Sequence, residues 1–399
     1  MRWRCAVLTL LVLALAEFAT ARDAPLALVG GLLIDGTGRD PIADATVLIE
    51  DGRIVAVGPG EETQVPAGAT VVDVGGGAIL PGFINAHVHD AFDADKLQAW
   101  ARSGVTTVCD LGVIGRWTNL SLRVFEERDT LNAEARNARL VAAGPLVTTV
   151  AGYGGYAVRS PEDARQKVAG LIAGGADLIK IAIEDDLQNR KWPMLTLEEI
   201  EAIVETAHAA GLRVVAHISR SEHIGMALDA GVDSVAHGAV DTVSADRIAQ
   251  MVDAGMVWVQ TLELWSCVAR IHGVESWLAK VKTNLSRFVA AGGRVALGTD
   301  FAGYVCDFEL GMPMTEVRLM AEAGMTPMQI IEAGTRNSAA VFGLEADLGT
   351  IEPGKIADLI VVDGNPLEDL ETLTAVRWVL RDGELIRDGR VSTDAVEGE

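Results

Sequence analysis

Basic residues are scarce in this chain. Its 399 residues hold 33 lysines and arginines against 56 acids, a formal net charge of −23 at pH 7. That deficit opposes a nucleic-acid partner, because no basic surplus exists to displace counterions from a phosphate backbone. Cysteine is scarcer still, with four residues and no Cys-x-x-Cys motif, so thiol-based metal and redox motifs are absent. No Gly-x-Gly-x-x-Gly turn follows an early strand, which counts against a doubly wound dinucleotide fold. Low-complexity tracts and exact repeats are also missing.

Only one long apolar run exists, at the N-terminus. "MRWRCAVLTLLVLALAEFATA" places Arg2 and Arg4 before about a dozen apolar residues and ends on Ala19-Thr20-Ala21, the layout of a secretory signal peptide. The run is short for a membrane span. Residues 1–21 are therefore expected to be removed, leaving no stable membrane anchor, and the mature chain to be exported, periplasmic or secreted. Cys109, Cys267 and Cys306 then remain. Three cannot all pair within the chain, so three buried thiols are expected, with one pair plus a free thiol as the alternative.

What is present is an alternating pattern. Residues 22–80 read as short apolar strands broken by Asp-Gly and Gly-rich turns, as in "ATVLIEDGRIVAVGPG". Residues 347–399 repeat that style, and the two ends together are expected to build one small β-sandwich domain. Between them, over 81–346, eight apolar strands each precede a helical stretch: "GFINAHVH", "GVTTVCDLG", "ARLVAAGPLV", "DLIKIAI", "RVVAHIS", "SVAHG", "MVWVQTL" and "RVALGTD". Eight such units predict an α/β protein with a (β/α)8 TIM barrel. A doubly wound open sheet is the second choice.

Chemistry in such a barrel sits at the C-terminal ends of the strands. Strand one ends in His87 and His89, and strand four carries Lys180. Strands five, six and eight end at His217, His237 and Asp300. Residues two apart on a strand share a face, so His87 and His89 can meet one ion. A lone His-x-His pair is ordinarily a hydrogen-bonded core feature. With His217, His237 and Asp300 at matching strand ends, a metal site is the better reading. Imidazole and carboxylate ligation suits zinc first, with manganese, iron or cobalt as alternatives. Lys180 has two readings: a salt bridge to an acid of the following "IEDD", or a neutral amine carboxylated by carbon dioxide into a metal-bridging carbamate. The second is preferred. His208 reads as structural and His272 as exposed; His223 reads as helix-start packing rather than a substrate contact.

These motifs resemble the amidohydrolase superfamily over nearly the whole chain. "LPGFINAHVH", "GVDSVAHG" and "LGTD" are similar to its strand-one, strand-six and strand-eight signatures, and "LGTIEPGKIADLIVVDGNPLEDL" to its C-terminal β-domain. Within it, Xaa-Pro dipeptidase and imidazolonepropionase-like members are nearest. The resemblance implies two divalent ions, zinc by preference. His87, His89 and Asp300 would hold the first, and His217 and His237 the second. Carboxylated Lys180 and a hydroxide would bridge them. Three positions depart from the peptidase-like pattern. "KIAIEDD" replaces a Ser/Thr-Gly-Gly turn after the lysine, Tyr153 stands where a loop histidine is usual, and Ser219 replaces a tyrosine.

The activity so implied is hydrolysis of an amide or peptide-type C–N bond in a dipeptide or N-acyl amino acid. The bridging hydroxide would attack, with Asp300 shuttling the proton to the leaving nitrogen. His237, if not a ligand, would assist the oxyanion, and Tyr153 or Tyr156 would donate a hydrogen bond to it. Loop packing is the equal alternative for both tyrosines. Arg220 or Arg159 would bind a substrate carboxylate or, alternatively, pair with surface acids. Trp265 would wall an apolar group or pack in the core. The same site could serve as a mononuclear cyclic-amide hydrolase, a lactonase or a phosphotriesterase-like hydrolase. A non-catalytic barrel is disfavoured, because every ligand position is filled. The expected partners are a small-molecule substrate and further copies of the chain.

Overall fold

The computed structural model describes residues 24–112, 123–187, 190–301 and 306–389. The expected leader, residues 1–21, lies outside the described residues, as do residues 390–399.

Both ends of the chain enter one eight-stranded sheet. Leu26–Leu33, Ile42–Glu50, Arg53–Pro59 and Thr70–Asp73 come from the N-terminal side; Leu359–Val362, Val376–Arg381 and Glu384–Asp388 come from the C-terminal side. Ala78–Pro81 joins the two groups, parallel to Leu26–Leu33 and antiparallel to Leu359–Val362. Two hairpins in this sheet turn at Asp51-Gly52 and Asp382-Gly383, all four with positive φ. Asp-Gly tolerates that conformation, and the resulting turn matches the twist of paired strands. Leu28, Val47, Ile54, Ile79, Leu359 and Trp378 form a buried cluster that needs both chain ends.

The eight expected strands are all present: β1 (Phe83–Val88), β2 (Val105–Asp110), β3 (Arg139–Ala142), β4 (Ile179–Ala182), β5 (Val214–His217), β6 (Ser234–Ala236), β7 (Val257–Gln260) and β8 (Arg294–Leu297). They are parallel to their neighbours and separated by helices. β1–β2–β3 form one sheet, while β4–β5–β6–β7–β8 run in that order in another with Val147–Thr149 and Tyr156–Val158. The expected third strand is thus split, with the break at Gly144-Pro145. Proline lacks the N–H that a continuous ladder would use. Beyond the strand ends, Thr299 and Asp300 N–H groups donate to the His87 carbonyl at 3.1 and 2.9 Å, which ties β8 to β1.

Helices between strands are capped by side chains at their starts. Thr196 and Glu199 form a capping box on Leu197–Ala209, and Ser244 caps Ala245–Asp253. Ile84, Cys109, Val141, Leu178, Val215, Ala236, Val259 and Ala296, drawn from all eight strand segments, pack in one buried apolar cluster. The helix Arg336–Val341 adds Ala339 and Val341 to it. No helix among the described residues is long and apolar enough to cross a membrane.

The expectation of three buried thiols is corrected. Cys267, on the helix Leu262–His272 after β7, is disulfide-bonded to Cys306, in the segment after β8, with Cα atoms 5.9 Å apart. Among the described residues, Cys109 alone is free, and it is buried. Neighbouring strands bring this helix and the segment after β8 together, although the cysteines are 39 positions apart in sequence.

The same helix begins beside a buried acid pair. The Glu263 N–H donates to Glu316 Oε2 at 2.7 Å, from Leu262–His272 to Met314–Glu322. Glu263 Oε2 and Glu316 Oε1 are buried without a hydrogen-bond partner. Burial pushes Glu263 up to about 7 and Glu316 up to about 8. A carboxyl whose folded pKa is raised binds its proton more tightly when folded, so its stabilisation is lost as pH rises toward the folded value. We therefore expect thermal stability to fall between pH 5 and about 8. Glu316→Gln should flatten that fall; a Tm–pH profile identical to wild type would refute the assignment.

Candidate metal centre

Four imidazoles converge beyond the strand ends. Ring centroids lie 5.1 Å apart for His87 and His89, 4.6 Å for His87 and His237, and 4.6 Å for His217 and His237. All four histidines are buried, as is Lys180, and Asp300 is partly buried. The fold delivers them from separate strands: His87 from β1, His217 from β5, and His89, His237 and Asp300 from just past β1, β6 and β8. Gly298 allows this approach, since a Cβ there would lie 2.6 Å from the His87 Cβ.

Two of these residues sit in strained backbone. His237 has φ +73° and Asp300 φ +65°, a region that side chains with a Cβ rarely adopt. Each costs about 1–3 kcal/mol, and such strain clusters at functional sites. The surrounding hydrogen bonds hold it: the His237 N–H donates to the Val259 carbonyl at 3.0 Å, and that of Asp300 to His87.

The donor set fits a cation. His89 Nδ1 lies 2.7 Å from the Gly112 carbonyl. A carbonyl only accepts, so Nδ1 carries a proton and Nε2 is the nitrogen left to offer a lone pair. That nitrogen is 3.3 Å from His87 Nε2 and 3.1 Å from Asp300 Oδ1, and His87 Nε2 is 3.0 Å from the same oxygen. Ligands about 2.0–2.2 Å from one ion have separations of this size. His87, His237 and Asp300 also offer ligand atoms within 4.8 Å of one another. Burial and the neighbouring Lys180 lower His87 to about 3, and burial holds His237 well below the usual histidine value. Both rings are therefore neutral, the form that ligates. Burial lowers His89 too, but Asp300 outweighs it and raises the group: without a cation Nε2 donates a proton to Asp300, and an ion would displace that proton and take up the lone pair. Burial alone would raise Asp300, but the His237 and His87 sites around it hold it well below the usual carboxylate range, a pull that needs a proton, or a cation in its place, among these rings.

Lys180 is the least satisfied member. Its side chain is buried and Nζ has no hydrogen-bond partner. The salt bridge to "IEDD" is not formed. Burial lowers its pKa to about 7, so a neutral amine is available near neutral pH. A neutral amine can add to carbon dioxide, and the carbamate would replace an orphaned group by an anion among metal-ligand donors.

The next layer was not visible in the strand-end pattern. Thr261 Oγ1 lies 3.0 Å from His237 Nδ1, and Glu184 Oε2 lies 3.3 Å from His217 Nε2. Tyr153 stacks on the His217 ring at 4.6 Å and 27°, with Trp192 edge-on to it. Tyr156 packs elsewhere, against the core, with Lys167 Nζ 5.6 Å from its ring centroid. Arg220 is joined to Asp186 at 3.0 Å, and Arg159 is exposed beside Asp163 at 4.0 Å. Trp265 is buried next to Trp277. His208 pairs with Asp233 at 2.8 Å. Glu184, Asp185 and His223 form a second group with ligand-like spacing. Both nitrogens of His223 are already used there, by Asp185 at 3.0 Å and by the Ser219 N–H at 3.3 Å.

Comparison with known proteins agrees with this geometry. Residues 78–386 match the model of the Amidohydrolase family. Ochratoxinase of Aspergillus niger is 26% identical, over 90% of this chain and 85% of its own length. Imidazolonepropionase of Symbiobacterium thermophilum is 25% identical, over 80% of this chain and 84% of its own. The crystal structure of a Xaa-Pro dipeptidase with bound methionine superposes with a TM-score of 0.78 at 25% identity, covering 91% of this chain and 99% of that one. The strand-end cluster and the family match point the same way: the chain belongs to the amidohydrolase family and is a metal-dependent hydrolase acting on carbon–nitrogen bonds.

Proposed function

We propose that the chain hydrolyses the amide or peptide-type C–N bond of a dipeptide or N-acyl amino acid at the cluster of His87, His89, Lys180, His217, His237 and Asp300. The observation that carries this reading is the convergence of three electron-rich atoms at 3.0–3.3 Å beside an orphaned, buried Lys180. In this reading the eight strands close into a (β/α)8 barrel spanning 81–346, and the terminal strands form a β-sandwich domain from 22–80 and 347–399. The likeness to a Xaa-Pro dipeptidase supports the dipeptide class. The likeness to imidazolonepropionase supports a second reading, a mononuclear site acting on a cyclic amide.

His87, His89 and Asp300 would hold one divalent ion and His217 with His237 a second, with carboxylated Lys180 between them. When bound, such ions, zinc by preference, supply Lewis acidity and lower the pKa of water toward neutrality. Asp300 has the role of proton carrier: it accepts a proton from the attacking water and delivers it to the leaving nitrogen. That delivery matters because an amine leaves far more readily than an amide anion. Tyr153, stacked on His217, would border the substrate. Arg220 would have to leave Asp186 to bind a substrate carboxylate.

Elemental mass spectrometry should find about two ions per chain when zinc and bicarbonate are supplied, with a clear loss in Lys180→Ala. About one ion, unchanged by that substitution, would move the reading to the mononuclear branch. Asp300→Asn should lower kcat on the best amide substrate by roughly 10²–10⁴-fold; near-normal turnover would remove its proton role.

Export and self-association complete the proposal. The disulfide Cys267–Cys306 suits an oxidising compartment. N-terminal sequencing of secreted protein should begin at Arg22, and a retained Met1 would reject cleavage after Ala21.

A further inference from the structure

The run Glu184-Asp185-Asp186 follows β4, and none of the roles above uses it. Each of its carboxylates is tied to the segment 217–223. Glu184 Oε2 is 3.3 Å from His217 Nε2, and Ser219 also hydrogen-bonds this carboxylate. Asp185 Oδ1 is 3.0 Å from His223 Nε2, and Asp186 Oδ2 is 3.0 Å from Arg220 Nη2. The Asp186 N–H donates back to Glu184 Oε1 at 2.9 Å. Three successive acids therefore clamp the start of the helix Ser221–Asp229 and the end of β5.

Glu184 differs from the other two in depth and in partner. It is 1% exposed, whereas Asp185 and Asp186 are partly exposed. A buried carboxylate persists only where donors surround it, and Glu184 has three: His217, Ser219 and the Asp186 N–H. An ionised carboxylate cannot donate. The proton between Glu184 and His217 must then belong to His217 Nε2. The opposite ring nitrogen, Nδ1, is left as a lone pair. Tyr153, stacked on the ring face, opposes rotation of the imidazole.

We infer that Glu184 is a positioning residue that fixes His217 in its Nε2–H tautomer, so that Nδ1 is the nitrogen offered to the metal centre. The inference rests on the metal-dependent reading above. Hydrogen bonding to a carboxylate also makes the free nitrogen a stronger donor. The acid that replaces the Ser/Thr of the family turn thus acts through His217, with Ser219 as its second support. The other two acids hold that support in place through His223 and Arg220.

Two measurements test this. With seven histidines in the chain, selective ¹⁵N-histidine labelling and NMR of the metal-free protein can report the His217 tautomer, assigned with a His217→Gln control. Wild type should show protonated Nε2 and free Nδ1. Glu184→Ala should shift His217 toward a mixture of tautomers. In metal titrations with zinc, Glu184→Ala should lose affinity for one ion by roughly 10–100-fold while the other ion is retained. Glu184→Gln, which keeps the shape and an acceptor oxygen, should keep the tautomer and lose less affinity. It carries the test if the alanine variant does not fold. A wild-type His217 protonated at Nδ1, or variants that bind both ions as wild type does, would overturn the inference. A wild type that binds no zinc would overturn the metal-dependent reading instead, and the tautomer would still be readable.

Discussion

One carboxylate oxygen organises this molecule. Asp300 Oδ1 lies 3.0 Å from His87 Nε2 and 3.1 Å from His89 Nε2, in a pocket largely closed to water. An anion and imidazole lone pairs at that spacing are compatible with burial only if positive charge sits among them. A proton satisfies the arrangement in part; a divalent ion satisfies all of it. The site is therefore a set of mutually dependent groups, and removing one leaves the rest uncompensated.

The backbone accepts costs to keep that geometry. His237 and Asp300 adopt positive φ although neither is glycine. The hydrogen bonds from Asp300 to the His87 carbonyl and from His237 to the Val259 carbonyl overcome this strain. Strands alone could not do so, because a regular strand end aims its side chains only along the pleat. The departure from regularity past β6 and β8 turns two side chains toward the ring of histidines. A buried apolar cluster ties the eight strand segments together.

Around the ligand cluster lies a layer that governs orientation more than chemistry. Gly112, Thr261 and Glu184 each contact the outer nitrogen of one histidine. Tyr153 and Trp192 cover one flank, while Arg220 is held by Asp186. This is also where the chain departs from the peptidase-like pattern, with Glu184-Asp185-Asp186 and Ser219 in altered positions.

Much of the architecture was legible in the sequence because it is local. Apolar runs of strand length and Asp-Gly turns act within a few positions, and all eight strands formed where the apolar runs stood. His87 and His89 were legible as a pair because a strand's two-residue repeat places them together. The tertiary structure alone decided what depends on neighbours distant in sequence. Cys267 and Cys306 became partners because β7 and β8 are adjacent, and no spacing rule encodes that adjacency. Lys180 stayed without a salt bridge because Glu184, Asp185 and Asp186 all face the segment after β5. Tyr153 and Tyr156 look equivalent in the chain, yet only Tyr153 reaches a histidine. Residue type and periodicity determine which groups can do chemistry; long-range packing determines which of them meet, because contact energies depend on distances that the chain's order does not specify.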